Sequence, residues 1–515
     1  MRAGKLIAVA ALFWAAVLGW AVVPTPGLPR AVAHAAANPE GNLDGDLAAV
    51  LAGAGFTGSL EASLPQRLGR PVNPALADLG RLLFFDNILG LHEDNSCAGC
   101  HSPEFGFGDS QSMAIGVQSN RLVGPDRAGP RNMRKSPQVI NSAFIPKLML
   151  NGRFVALSDD PFDNSLGFEF PPPEGLIRFP PGDDRFPTLL SAQGHIPQTE
   201  LVEMAGFTGA ATNDAIGPRF DVFDDGNGTV LPQDGDGDGF LNEEIRAVVL
   251  GKIKGTKGYV TLFRKVFGVS KKDITFALVG QALSEFQVSL TFANAPLDRF
   301  ARFTLGDRHE SPEVMTNQQK RGALLFFGKA RCTECHDASN EMFSDFENYG
   351  LGVPQVAPFF GPGAGNVVFD GLDENEDFGR EQISGDPADR YRFRTSPIRN
   401  AAVQPAFFHN GAFTRLEDAI RHHLNVKKSA RRYDPVAAGL DADLTLRMGP
   451  VEPVLAALDD QVKEPIPLSP KEFRDLVAFV RDGLLDPRAT KGHLCGLVPA
   501  TVPSGLPVVT FQGCR

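Results

Sequence analysis

Cys97, Cys100 and His101 form a Cys-x-x-Cys-His run, and Cys332, Cys335 and His336 form a second. Two thiols at this spacing reach the two vinyl groups of one haem, and the adjacent histidine reaches its iron from the same short turn. Zinc held by two Cys-x-x-Cys pairs needs no histidine directly after each pair. A redox dithiol of the thioredoxin kind needs a βαβ setting. The two runs therefore predict two covalently bound haem c groups, with His101 and His336 as proximal iron ligands.

Two other groups carry chemistry. Asp234, Asp236 and Asp238 alternate with glycine, as at the start of an EF-hand loop. Its twelfth position is Ile245, and Glu243 and Glu244 stand slightly early, so calcium competes with a solvated acidic loop. Cys495 and Cys514 are the remaining cysteines, and in an oxidising compartment they predict a tail disulfide worth ~3 kcal/mol.

The elements that must position these groups read as helices. Gly80–Phe85 precedes the first cysteine run and Gly322–Phe327 the second, so a helical unit is duplicated. Leu76, Leu79 and Leu83 mark the apolar face of the first copy, and Ala323, Phe326 and Phe327 that of the second. Helical spacing recurs over 274–292 and over 471–485, after a Ser469-Pro470 start. Strand signals are sparse. Residues 158–190 (Pro, Asp, Phe) and 213–245 (Asp, Gly) read as long loop insertions.

The chain has 515 residues, 61 acidic against 50 basic, which argues against a nucleic-acid partner. Arg2 and Lys5 precede the apolar run 6–23, and Ala31, Ala33 and Ala35 follow. That pattern predicts a signal peptide over 1–35 and an exported, periplasmic protein with no membrane segment after cleavage. An uncleaved anchor is the competing reading of the same run. Trp14 and Trp20, the only tryptophans, lie in this leader.

The order of motifs resembles the bacterial di-haem cytochrome c peroxidase family, including the relatives that modify tryptophans in methylamine dehydrogenase. The resemblance covers about residues 65–487. It rests on 96–101, Ser136–Asn141, Asn151-Gly-Arg153, Glu203-Met204, Leu297–Phe300 and Lys320-Arg-Gly322. It continues through 332–336, Pro397–Asn400, Phe408-His-Asn-Gly411 and Leu416–Ala419. It implies a mainly α fold of two cytochrome c-like helical domains, each with one covalent haem. The expected divisions are 36–295 (peroxidatic haem), 296–490 (electron-transfer haem) and a tail, 491–515.

The resemblance also implies roles. The peroxidases place a removable distal histidine where Val117 stands here, so the first haem is expected to be open to peroxide, unless His92 or His195 fills it. Glu203 matches the family's acid–base glutamate and Gln193 the glutamine ten residues before it, with His195 as an alternative acid–base group. The family's second-haem ligand position falls on His423. Thr414–Glu417 reads as a capping box, after which Leu416, Ala419, Ile420, His423 and Leu424 share a face and His422 points away from it. The family's tryptophan between the haems is replaced by Leu150, leaving packed protein or Tyr259, Tyr349, Tyr391 or Tyr433 as the route. The family's interdomain calcium motif is interrupted by Met133-Arg-Lys135 and is not expected.

The function expected is a periplasmic peroxidase that reduces hydrogen peroxide with electrons from a small redox protein, a c-type cytochrome or a cupredoxin. The alternatives are an oxidase acting on Trp or Tyr of a partner protein, and a plain electron-transfer dihaem cytochrome.

Overall fold

Asn73 begins the first helix of the repeat. Its side chain accepts from the N–H groups of Ala75 and Leu76, and Pro74 occupies the first turn, where no amide is needed. The computed structural model describes residues 42–170, 178–206, 223–224, 230–231, 243–358 and 369–514. In it the helix Pro74–Phe85 packs along the helix Phe276–Ser289. Gly80 is the crossing point, because a Cβ there would collide with the Ala282 carbonyl. The second copy repeats this. The helix Asn317–Phe327 starts from a Thr316/Gln319 capping box and packs on the helix Pro470–Ala478, which starts from a Ser469/Glu472 box. Gly322 takes the crossing, against the Asp475 carbonyl. The duplicated Gly-x-Leu-Leu-Phe-Phe run is thus a duplicated helix crossing that leads into a cysteine turn.

Each crossing has its own apolar core. Leu79, Leu83, Phe84 and Phe85 pack with Phe107, Val279, Leu283 and Phe286. Phe326 and Phe327 pack with Phe300, Phe343, Leu476 and Phe479. Side chains of this size stabilise by about 1.5–3 kcal/mol each on full burial.

The chain ends cross between these cores. Leu47 and Leu51 of the helix Leu43–Ala54, with Phe56, lie in the core of Phe326 and Phe479. Leu494, Val502, Val509 and Phe511 lie in the core of Leu83 and Phe286. The strand Thr510–Phe511 pairs in parallel with Leu122–Val123, and Cys495 and Cys514 form a disulfide. Asp86, fully buried, accepts from Tyr259 Oη and Ser504 Oγ, each at 2.7 Å. Linear divisions at 295 and 490 therefore do not coincide with the packed cores.

About 44% of the described residues are helical, and the strands among them are two or three residues long, so helices carry the architecture. The expectation of a loop over 158–190 needs correction. Phe168–Glu169 and Arg178–Phe179 extend the hairpin of Lys147–Leu148 and Phe154–Ala156 into a four-stranded antiparallel sheet. Phe168, Phe170, Phe179 and Phe186 are buried under it. Most of the 213–245 stretch, including Asp234, Asp236 and Asp238, lies outside the described residues. Its end is helical: Glu243 and Glu244 form the first turn of the helix Glu243–Gly255, where carboxylates suit the N-terminal dipole. Among the described residues, no helix is long and apolar enough to cross a membrane.

Candidate active site

Cys97–Cys100 is one helical turn, closed by the His101 N–H donating to Cys97 O at 2.9 Å. The second run closes identically, His336 N–H to Cys332 O at 2.9 Å. In each turn both thiols and the histidine border one cavity. Cys97, Cys100 and His101 line a cavity of about 810 Å³; Cys332, Cys335 and His336 line another of about 280 Å³. A single zinc held by both cysteine pairs is therefore excluded, and neither turn sits in a βαβ unit.

The donor sets fit haem c. His101 Nδ1 lies 3.1 Å from Phe107 O and His336 Nδ1 lies 3.0 Å from Phe343 O, which leaves Nε2 of each for iron. Burial pulls both imidazoles down to about 4, so they stay neutral with a lone pair to donate. Burial likewise pushes all four thiols up to about 12. The first cavity also contains a buried amide, Gln198, whose Oε1 and Nε2 have no partner among the described residues. Such a group is costly unless a bound molecule satisfies it.

Glu203 and Gln193 both line the first cavity. Glu203 lies on a π-helical turn, Leu201–Ala205, in which Ala205 N–H donates to Glu200 O five residues back, at 3.0 Å. Three outside donors hold this turn. Val117 N–H bonds Val202 O at 3.2 Å, Asn95 Nδ2 bonds Glu203 O at 2.8 Å, and Leu91 N–H bonds Met204 O at 3.0 Å. Gly116 lets the chain come this close, since a Cβ there would strike Val202 O. Arg127 fixes the same segment through Ile115 O (2.7 Å) and the Asn95 Oδ1 (3.2 Å).

Val117 is fully buried, and the only histidine lining this cavity among the described residues is His101. His92 is not part of its wall. His195 is a core histidine: its ring packs edge-on against Phe186 (4.9 Å) and Phe276 (5.2 Å), and burial pulls it down to about 3. Neither the distal-ligand nor the acid–base alternative for His195 agrees with that position.

In the second cavity Leu416, Ala419, Ile420, His423 and Leu424 of the helix Leu416–Leu424 all face inward. The His336 and His423 rings lie 6.3 Å apart between centroids. That spacing accommodates one iron between them, with metal–nitrogen bonds of ~2 Å plus the half-width of each ring. His423 Nδ1 lies 2.9 Å from Ala419 O, which again leaves Nε2 toward the cavity. One expectation about this helix needs correction. Thr414 does not cap it; its hydroxyl donates to Ala438 O, and Arg415 stands at the cap without a side-chain bond. His422 points away from the cavity-facing side. It is fully buried between Phe408 and Phe413, with Nε2 2.8 Å from Leu351 O. The helix is covered on two sides, which one apolar stripe does not reveal.

The cavities share a wall that includes Leu150, Ile145, Pro137, Lys135 and Arg394. No tyrosine belongs to it. Tyr349 lines only the second cavity, where its hydroxyl donates to Asp345 at 2.7 Å; Tyr259, Tyr391 and Tyr433 line neither. Asn95, Gln198 and Arg394 were not legible as site residues, because lone polar residues carry no spacing signal. Arg153, which pairs with Glu200 in the first cavity at 2.7 Å, stood within the Asn-Gly-Arg motif.

Two cysteine–histidine turns, each opening on its own cavity, define a di-haem c-type oxidoreductase. Residues 74–305 match the sequence profile of the di-haem cytochrome c peroxidase family. It is 26% identical to the methylamine utilization protein MauG of Methylorubrum extorquens over 429 residues, 83% of each chain. It is 23% identical to the cytochrome c551 peroxidase of Pseudomonas aeruginosa over 355 residues, 68% of this chain and 72% of that one. It shares its fold with a MauG-like protein associated with microbial copper homeostasis (TM-score 0.51, 19% identity, 81% of this chain and 91% of the other).

Proposed function

We propose that this protein is a periplasmic peroxidase that holds two haem c groups and reduces hydrogen peroxide to two waters. Two electrons come from a small redox protein, a c-type cytochrome or a cupredoxin, and two protons from solvent. Cys97, Cys100 and His101 would hold the peroxidatic haem; Cys332, Cys335, His336 and His423 would hold the haem that takes electrons from the donor. Bound haem supplies the redox chemistry of O–O cleavage.

The protein's part is binding and proton handling. The observation that carries the reading is that Glu203 and Gln193 line the cavity of His101 while no second histidine among the described residues does. The Gln193 amide orients peroxide by hydrogen bonding. The Glu203 carboxylate takes the proton from the near oxygen and returns it to the leaving oxygen. The three-point hold on residues 202–204 keeps that carboxylate in place. In the second cavity, two imidazoles would saturate one iron, which suits electron transfer rather than peroxide binding. Calcium belongs to the same reading, held by Asp234, Asp236 and Asp238 with Glu243 and Glu244; a chelator-induced fall in Tm would support it.

The test pairs EPR of the oxidised protein, before and after peroxide, with turnover of wild type and Glu203→Gln. A high-spin resting signal that peroxide consumes, and turnover ~10²–10⁴-fold slower in the variant with both haems retained, are expected. Unchanged turnover removes Glu203 from the mechanism. Only low-spin signals and no reaction with peroxide would make the protein an electron-transfer cytochrome. Slow turnover with small donors, alongside oxidation of Trp or Tyr in a partner protein, would make it a protein-modifying oxidase.

A further inference from the structure

Arg394 is 5% exposed and lines both cavities from their shared wall. It ends the strand Arg392–Arg394, and its N–H bonds Leu150 O at 2.8 Å. Its guanidinium makes two bonds, both to carbonyls: Nε to Met149 O at 3.0 Å and Nη1 to Thr395 O at 2.9 Å. Among the described residues, Nη2 makes none and no carboxylate pairs with this cation.

Three other buried arginines differ. Arg399 has Asp298, Arg131 has Asp441 and Asp443, and Arg127 uses Nε, Nη1 and Nη2 on carbonyl and amide oxygens. Lys135, the other cation of this wall, bonds Gln404 Oε1 at 2.6 Å and has Asp109 as counter-charge. A buried guanidinium with unused donors and no counter-ion is costly unless a bound anion completes it. Its planar fork suits a carboxylate.

We propose that Arg394 is the anion anchor where the two cavities meet, binding a propionate carboxylate of bound haem and holding one positive charge within reach of both irons. This rests on the reading that each cavity takes a haem. A positive charge favours the reduced, less positive iron, so loss of Arg394 lowers the potential of both haems at once. With Leu150 in place of a tryptophan, the arginine–carboxylate contact is also the polar link across the wall.

The experiment uses the full-length holoprotein as wild type, Arg394→Met and Arg394→Lys. Haem content is measured first; fewer than two haems in the wild type would defeat the two-haem reading, separately from this one. Spectroelectrochemical titration of Arg394→Met should then show both haems about tenfold less reduced at a given ambient potential, ~59 mV for a one-electron couple. Arg394→Lys should keep both midpoints and shift a propionate bending band in the resonance Raman spectrum. Unchanged midpoints in Arg394→Met, or a shift of one haem alone, would overturn the proposal. If Arg394→Met fails to take up haem, an Arg394→Lys Raman spectrum identical to wild type would overturn it instead.

Discussion

The side-chain amide of Asn95 donates to the main-chain carbonyl of Glu203 across 2.8 Å, from only two residues before the first cysteine of its haem turn. The proposed proton-handling residue and the turn that would hold the haem are thereby tied to one buried side chain. Asn95→Ala should keep both haems and slow the peroxide reaction by ~10–100-fold, the usual consequence of misplacing a reacting group by about an ångström. Stopped-flow mixing with peroxide measures it. A wild-type rate in this variant, alongside a slowed Glu203→Gln, would show that the other two contacts suffice.

His423 and His422 should separate cleanly. His423→Met should keep the second haem low-spin and raise its midpoint potential, because thioether ligation favours the ferrous state. A near-infrared band of a Met-ligated ferric haem reports the exchange. His422→Leu should leave that potential alone but cost ~1–3 kcal/mol, since it strands the Leu351 carbonyl in the core. A midpoint that ignores His423→Met would mean that the imidazole only packs.

Asp298 and Arg399 form a fully buried bidentate pair, at 2.7 and 2.8 Å, beneath Phe56 and Phe343. Arg399→Met should destabilise by ~3–5 kcal/mol, because an uncompensated carboxylate stays behind. Asp298→Leu combined with Arg399→Met should recover part of that loss. Urea midpoints for the single and double variants decide it; a single variant within ~1 kcal/mol of wild type refutes the argument.

Asp377 gives a pH dependence with a definite sign. Burial would raise its pKa, but the Arg134 guanidinium, bonded twice at 2.7 Å, outweighs this and holds the carboxyl below its usual range. A depressed folded-state pKa contributes stability above the unfolded value, near 3.8, and loses it as pH falls through the folded value. Asp377→Asn should therefore lower Tm at neutral pH and narrow its gap to wild type below about pH 4. A gap that widens in acid would contradict this assignment.

The cysteine turns, the helices that precede them and the inward face of the helix Leu416–Leu424 were legible because each is local. The sheet over 147–179 was not. Its strands are two or three residues long, too short for alternation to register, and what fixes them is burial of Phe168, Phe170 and Phe179 against distant residues. His195 misled for a related reason: a histidine's sequence neighbours do not reveal the aromatics packed around it. Arg394 was invisible as a site residue because its significance is a missing counter-charge, which only packing reveals.

The exchanged chain ends bear on how the protein is made. Synthesis proceeds from the first cysteine turn to the second, yet the core behind the first contains Leu494, Val502, Val509 and Phe511. That core is complete only when the C-terminal segment lies in place and Thr510–Phe511 has paired beside Leu122–Val123. A fragment that stops before residue 494 would lack these side chains and leave Leu83 and Phe286 with part of their packing missing.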